Sequence, residues 1–200
     1  HGAFDLSYLR MIPNIKILCP SSEAQLASAL HTALKLGGPV AIRYPRGKGA
    51  GSKIPETAGQ TPELELGRAR IVYNFDQPNA CILSFGSMLQ NAIEAAEILK
   101  SHNITTRVID MCWLKPLDLD AVKLALSSPL LVTLEDGCLA GGAGSAVLEE
   151  IFKLGVFAEV LELGLPDKFI EHGQQKDLFC DLGLSPQAIA KRIENRILEL

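Results

Sequence analysis

Hydrophobic and polar positions along the chain switch repeatedly between a period of two and a period near four, and each switch marks an element boundary. Asn14 to Cys19, NIKILC, alternates and stops at Pro20, which predicts a short strand. Ser21 or Ser22 can cap a following helix that runs to about Leu36, where Leu26, Leu30 and Leu34 recur four residues apart and are expected to form one buried stripe. Gly37 and Gly38 end it. The next apolar run, PVAI from Pro39, predicts a second strand, and strand, helix and strand within about 30 residues make a βαβ unit with a parallel pair.

From Gly47 to about Pro62 the pattern lapses into GKGAGSKIPETAGQTP, the composition of an exposed linker. Beyond it the alternation returns. Strands are expected at Ala80–Phe85, Thr105–Asp110, Leu130–Leu134 and Ala158–Leu163. Helices are expected at Ser87 to about Ser101, Asp118–Leu126, about Ala143–Leu154, and from Ser185-Pro186 onward with Ile189, Ile193 and Ile197 on one face. The expected fold class is therefore α/β, an open and mostly parallel twisted sheet preceded by the βαβ tail of another domain. Residues 1–46 form that tail, 47–65 the linker and 66–200 the main domain. Two strands in 46 residues can hardly bury a sheet, and the chain opens on His1 without a methionine, so the expectation is a fragment of a larger protein whose first 14 residues are weakly ordered for want of their partner.

Composition narrows the partners more than the fold. A net charge of −4 and an isoelectric point near 5.6 provide no basic field for nucleic acid or an anionic membrane, so an anion must be held by local charge. No apolar run approaches the ~20 residues of a membrane span, and a cytoplasmic location is expected. The five cysteines, Cys19, Cys81, Cys112, Cys138 and Cys180, lie far apart with no CxxC pair, which reads as reduced core thiols rather than a disulfide or metal framework. His31, His102 and His172 are each isolated and suggest no metal set.

Chemistry concentrates at strand ends. Arg46 follows the second strand on a Pro/Gly turn, where a parallel sheet presents ligands, and its guanidinium fork suits a phosphate; an interdomain salt bridge explains the same placement. Gly137–Gly144, GCLAGGAG, could cradle an anion at a helix start, or be glycine-rich because strand and helix pack closely there. Ser87 reads as a helix N-cap, and Glu135-Asp136 as neighbours pointing different ways rather than an acid/base pair. The lone Trp113 is expected to pack a domain edge.

Taken together, HGAFDLSYLRMIPN, IRYPRG, ILSFGSM, VIDMCWLKPLD, TLEDGCLAGGAGSAVLE and LGLPDKFIEHG resemble the C-terminal portion of the 1-deoxy-D-xylulose-5-phosphate synthase family, thiamine-diphosphate enzymes of the transketolase-like superfamily. That resemblance implies a transketolase-like C-terminal domain after the end of a pyrimidine-binding domain, in a homodimeric parent. It implies a transferase that condenses pyruvate with D-glyceraldehyde 3-phosphate, releases carbon dioxide, and feeds isoprenoid, thiamine and pyridoxal synthesis in a bacterial cytoplasm or plastid stroma. It places Arg46 on the phosphate of the aldehyde acceptor. It places His1 beside the family's active-site histidine rather than on it, which makes His1 a candidate for substrate binding and not for catalysis. The motifs that hold thiamine diphosphate and Mg2+ are absent, so the chain alone is expected to be inactive. A transketolase, a 2-oxoacid dehydrogenase β subunit, or a non-catalytic ligand-binding or dimerisation module are the rival readings.

Overall fold

In the computed structural model, which describes residues 2–47, 49 and 51–200 and only the backbone of residue 58, the chain builds two sheets that share a strand donor. His1 lies outside the described residues. The chain begins with a short helix α1 (Asp5–Arg10), then β1 (Lys16–Leu18), α2 (Glu23–Lys35) and β2 (Val40–Ile42). β1 and β2 pair in parallel, as the βαβ reading requires, and Ser22 caps α2 by accepting from the Gln25 backbone N–H.

The main unit supplies β3 (Arg70–Tyr73), β4 (Ala80–Ser84), α3 (Leu89–Ser101), β5 (Thr106–Asp110), β6 (Trp113–Lys115), α4 (Leu119–Ala125), β7 (Leu130–Cys138), α5 (Ala143–Lys153), β8 (Val160–Leu165), α6 (Gln175–Asp181) and α7 (Pro186–Leu198). Its five-stranded sheet has the order β3-β5-β4-β7-β8, parallel except for β3, which runs against β5. β4, β5 and β7 are buried along their whole length, as expected of strands covered by helices on both faces. One face carries Ile82, Leu99, Val132, Ile189 and Ile193, the other Leu83, Ile109, Leu131, Val122 and Val147. Asp118 caps α4 through the backbone N–H groups of Asp120 and Ala121.

β6 leaves this unit and pairs antiparallel with β1, giving a second sheet of order β2-β1-β6. The two-strand tail is thus completed from the other side of the linker. Trp113 is fully buried there with Leu18, Ala29 and Cys112, so it does pack the boundary between the units.

Three expectations are corrected. Leu30 and Leu34 are 55% and 81% exposed, because α2 turns Gln25, Ser28, Ala29 and Thr32 toward the protein; small residues let the helix lie close, and the leucines face outward. Residues 2–14 make defined contacts, with Leu6 buried, Ala3 accepting from the Cys138 N–H at 2.8 Å and Lys115 Nζ reaching the carbonyls of Arg10 and Ile12, while Phe4, Tyr8, Met11 and Ile12 remain exposed, as apolar surface short of a partner. Cys180 is exposed, while the other four thiols are buried. Ser87 sits in a 3₁₀ turn, Gly86–Met88, and caps no helix; its hydroxyl is used elsewhere. Linker residues also fold back, since Glu23 accepts from the Gly51 and Ser52 N–H groups and is held down to about 2 chiefly by backbone N–H bonds. No helix among the described residues is long and apolar enough to cross a membrane.

Candidate functional site

Because the chain passes from β4 to β5 on one side and then crosses to β7 on the other, β4 and β7 flank the point where a doubly wound sheet opens a crevice at its carboxyl edge. Ser87 lies just past the end of β4 and Asp136 near the end of β7, and Ser87 Oγ donates to Asp136 Oδ2 at 2.7 Å. The crevice is filled from the N-terminal unit. Arg43, the first residue after β2, places one guanidinium nitrogen on Asp136 Oδ1 and another 3.3 Å from the Asp136 carbonyl. With side chains 9% and 7% exposed, the pair is a buried charge clasp between the two units.

A second carboxylate works in parallel. Asp110, at the end of β5 and fully buried, accepts from Ser21 Oγ at 2.8 Å, Gln25 Nε2 at 3.0 Å and Arg70 Nε at 2.9 Å. The start of α2 is therefore tied to the same sheet edge as the end of β2.

Beside the clasp opens a cleft of about 750 Å³, walled by Ser21, Leu26, Tyr44, Pro45, Gln90 and Phe179 among others. Arg46 lies in sequence between Pro45 and Gly47, which both line the cleft. It is exposed and makes no ion pair or hydrogen bond among the described residues. Gly47 has φ 130°, a conformation that favours glycine and turns the chain directly after the arginine. The salt bridge that the sequence offered to Arg46 belongs to Arg43 instead. Sequence reasoning missed Arg43 and Asp110 and considered Asp136 only beside Glu135; the local signal for the clasp was the first arginine of IRYPRG, Arg43.

The glycine-rich loop is explained by packing. A Cβ on Gly142 would lie 2.2 Å from the Cys138 carbonyl, and one on Gly144 would meet Glu162 and Thr133 at under 3 Å. The start of α5 is occupied by the protein's own carboxylate, since Glu135 accepts from the N–H groups of Ala143 and Gly144 at 2.9 and 2.8 Å. Burial pushes the Glu135 carboxyl up to about 7, with the neighbouring Asp136 and Glu162 adding to the rise and the two helix N–H groups opposing it.

That shift has a sign. A carboxyl whose folded value exceeds its ordinary 4.5 takes up a proton on folding between those two values, so its contribution is complete below 4.5 and is lost as pH rises to 7. The unfolding free energy is expected to fall from pH 5 to pH 8 by up to about 3 kcal/mol more in the native protein than in Glu135→Gln, as read from urea unfolding at each pH. Parallel curves for the two proteins would assign the titration elsewhere.

Comparison with known proteins agrees with this architecture. Residues 67–189 match the family model "Transketolase, C-terminal domain", and residues 1–50 match "Transketolase, pyrimidine binding domain". Curated relatives named 1-deoxy-D-xylulose-5-phosphate synthase include those of Vibrio parahaemolyticus, 45% identical over 96% of the chain, and Hahella chejuensis, 43% identical over its full length. The Chlorobium luteolum relative is 41% identical over 97% of the chain. The chain spans about 30% of the length of each. Among solved structures, "Split gene transketolase, inactive beta4 tetramer" superposes with a TM-score of 0.84 at 28% identity, covering 98% of this chain and 62% of that one. Transketolase from Campylobacter jejuni, at 20% identity and a TM-score of 0.72 over 96% of this chain and 28% of that one, shares the fold. The C-terminal domain match alone takes in more than half of the residues, and the chain belongs to the transketolase C-terminal domain family.

Proposed function

We propose that this chain is the C-terminal part of a 1-deoxy-D-xylulose-5-phosphate synthase, joining pyruvate to D-glyceraldehyde 3-phosphate with loss of carbon dioxide. The observation that carries this reading is the identity of 41% to 45% with enzymes of that name along nearly the whole chain, against 28% with the split-gene transketolase. Within it, residues 1–46 are the end of the pyrimidine-binding domain, 47–65 the linker and 66–200 the C-terminal domain, a division supported by the two family matches.

Arg46 is the phosphate-binding residue on this proposal. It offers a fork of donors that stays charged at working pH, follows a strand between two cleft-lining residues, Pro45 and Gly47, and has no carboxylate partner among the described residues. Holding a phosphate remote from the reacting carbons orients the aldehyde without taking part in bond making.

Among the described residues no group of three or more His, Cys, Asp or Glu side chains can hold a metal ion, and Asp110 and Asp136 already have internal partners. The described residues therefore do not fit magnesium diphosphate, and the proposal leaves thiamine diphosphate and Mg2+ to other parts of a cytoplasmic homodimeric parent. His1, beside the family's active-site histidine, is assigned no step.

The test is to assay the complete protein with thiamine diphosphate and Mg2+. Carbon dioxide release from pyruvate that depends on glyceraldehyde 3-phosphate is the expected result. Transfer between sugar phosphates, or acyl transfer to a lipoyl domain in its place, would remove this reading in favour of a transketolase or a dehydrogenase subunit.

A further inference from the structure

We propose that Asp136, supported by Ser87, is a positioning residue for Arg46, acting through Arg43; the inference rests on the reading of Arg46 as the acceptor-phosphate residue. IRYPRG carries two arginines with opposite fates. Arg43 is fixed at both ends: its backbone N–H donates to Leu18 at 2.8 Å, extending the β1–β2 ladder, and its guanidinium grips the carboxylate and the carbonyl of Asp136. Arg46 is exposed with no partner among the described residues.

Only Tyr44 and Pro45 separate them. Proline fixes its own φ and confines the residue before it to extended conformations, so the three-residue step from Arg43 to Arg46 is stiff and spans at most about 11 Å. Arg46 therefore inherits its place from Arg43. Both carboxylate oxygens of Asp136 are used, one by Arg43 and one by the Ser87 hydroxyl at 2.7 Å, which sets the carboxylate's orientation. Since Asp136 and Ser87 belong to the five-stranded sheet and Arg46 to the other unit, the clasp transmits the position of the main sheet edge to the substrate-facing arginine. It also leaves the Asp136 charge neutralised, so that it does not draw Arg46 away from a phosphate.

The experiment is a mutant cycle in the complete, cofactor-loaded enzyme, comparing native, Asp136→Asn, Arg46→Ala and the double variant. Asparagine keeps the shape and an acceptor for Ser87 but removes the charge that holds Arg43. KM for glyceraldehyde 3-phosphate is expected to rise ~10-fold in Asp136→Asn, with KM for pyruvate within ~2-fold of native, as a displaced positioning group predicts. Added to Arg46→Ala, the same substitution should change KM for the aldehyde phosphate by less than ~2-fold, because the group it positions is gone. Ser87→Ala, a milder change, should give ~3-fold in the same direction and lose that effect in the same background. A general folding defect would lower kcat and leave both KM values near native, and an effect not routed through Arg46 would raise KM by equal factors with and without Arg46 or affect both substrates alike; any of these results overturns the inference. Should Arg46→Ala weaken the aldehyde phosphate while Asp136→Asn and Ser87→Ala do not, the positioning role falls and the phosphate role stands. If Arg46→Ala itself spares the aldehyde phosphate, both fall.

Discussion

Arg46→Ala in the complete enzyme is expected to lower kcat/KM for glyceraldehyde 3-phosphate by about 2 to 4 kcal/mol, the scale on which truncating one partner of a charge pair weakens association. The loss should be confined to one substrate. Pyruvate carries no phosphate, so its KM should move by less than about twofold when the aldehyde is saturating. Arg46→Lys retains the charge but not the planar fork, and should fall between the native and alanine proteins. Unphosphorylated D-glyceraldehyde gives a sharper control: with no phosphate to hold, the native and alanine proteins should use it equally well. A loss of similar size on that substrate, or on pyruvate, would show that Arg46 supports the fold or the cofactor site and not the acceptor.

Trp113→Ala should cost about 3 to 5 kcal/mol of stability, the usual range for deleting a large aromatic from a packed interior. Trp113 has no exposed surface and sits on β6, the strand that the main unit lends to the N-terminal sheet. Trp113→Phe should cost far less, since the indole N–H has no hydrogen-bond partner among the described residues and its removal strands none of them. Being the only tryptophan, it also reports its own surroundings. Urea unfolding followed by its fluorescence should coincide with unfolding followed by far-ultraviolet circular dichroism, because a sheet assembled from both units ties them into one cooperative transition. A fluorescence transition at lower urea would mean that the N-terminal unit detaches first and that the lent strand couples them weakly.

What the sequence made legible was whatever depends on neighbours along the chain. The strands at 80–84, 106–110 and 160–165 and the helices ending in Ser101 and Lys153 follow from apolar period within a residue or two, and the start of the last helix follows from its cap, Ser185. The elements that escaped are set from a distance. β6 is three residues long and exists because β1 offers an open edge. β7 runs on through Glu135, Asp136 and Gly137, which look like a turn, since those residues are held by α5 and Arg43. Periodicity located an apolar stripe on α2 but not what covers it, and the face that packs is Gln25, Ser28, Ala29 and Thr32. At the site, strand-end logic singled out the segment that carries both arginines. Which of its two arginines is anchored was decided by an aspartate 93 positions away.

The lent strand also bears on how the polypeptide is made. Leu18 waits for Trp113, 95 residues downstream, before its strand acquires a second neighbour. At about 5 to 20 residues per second, translation leaves that edge open for roughly 5 to 20 seconds, a long exposure for an unpaired strand in a crowded cell. β1 is synthesised well before the strand that completes its sheet, and the ribosome's pace through the intervening hundred or so codons sets how long that edge must stay unclaimed.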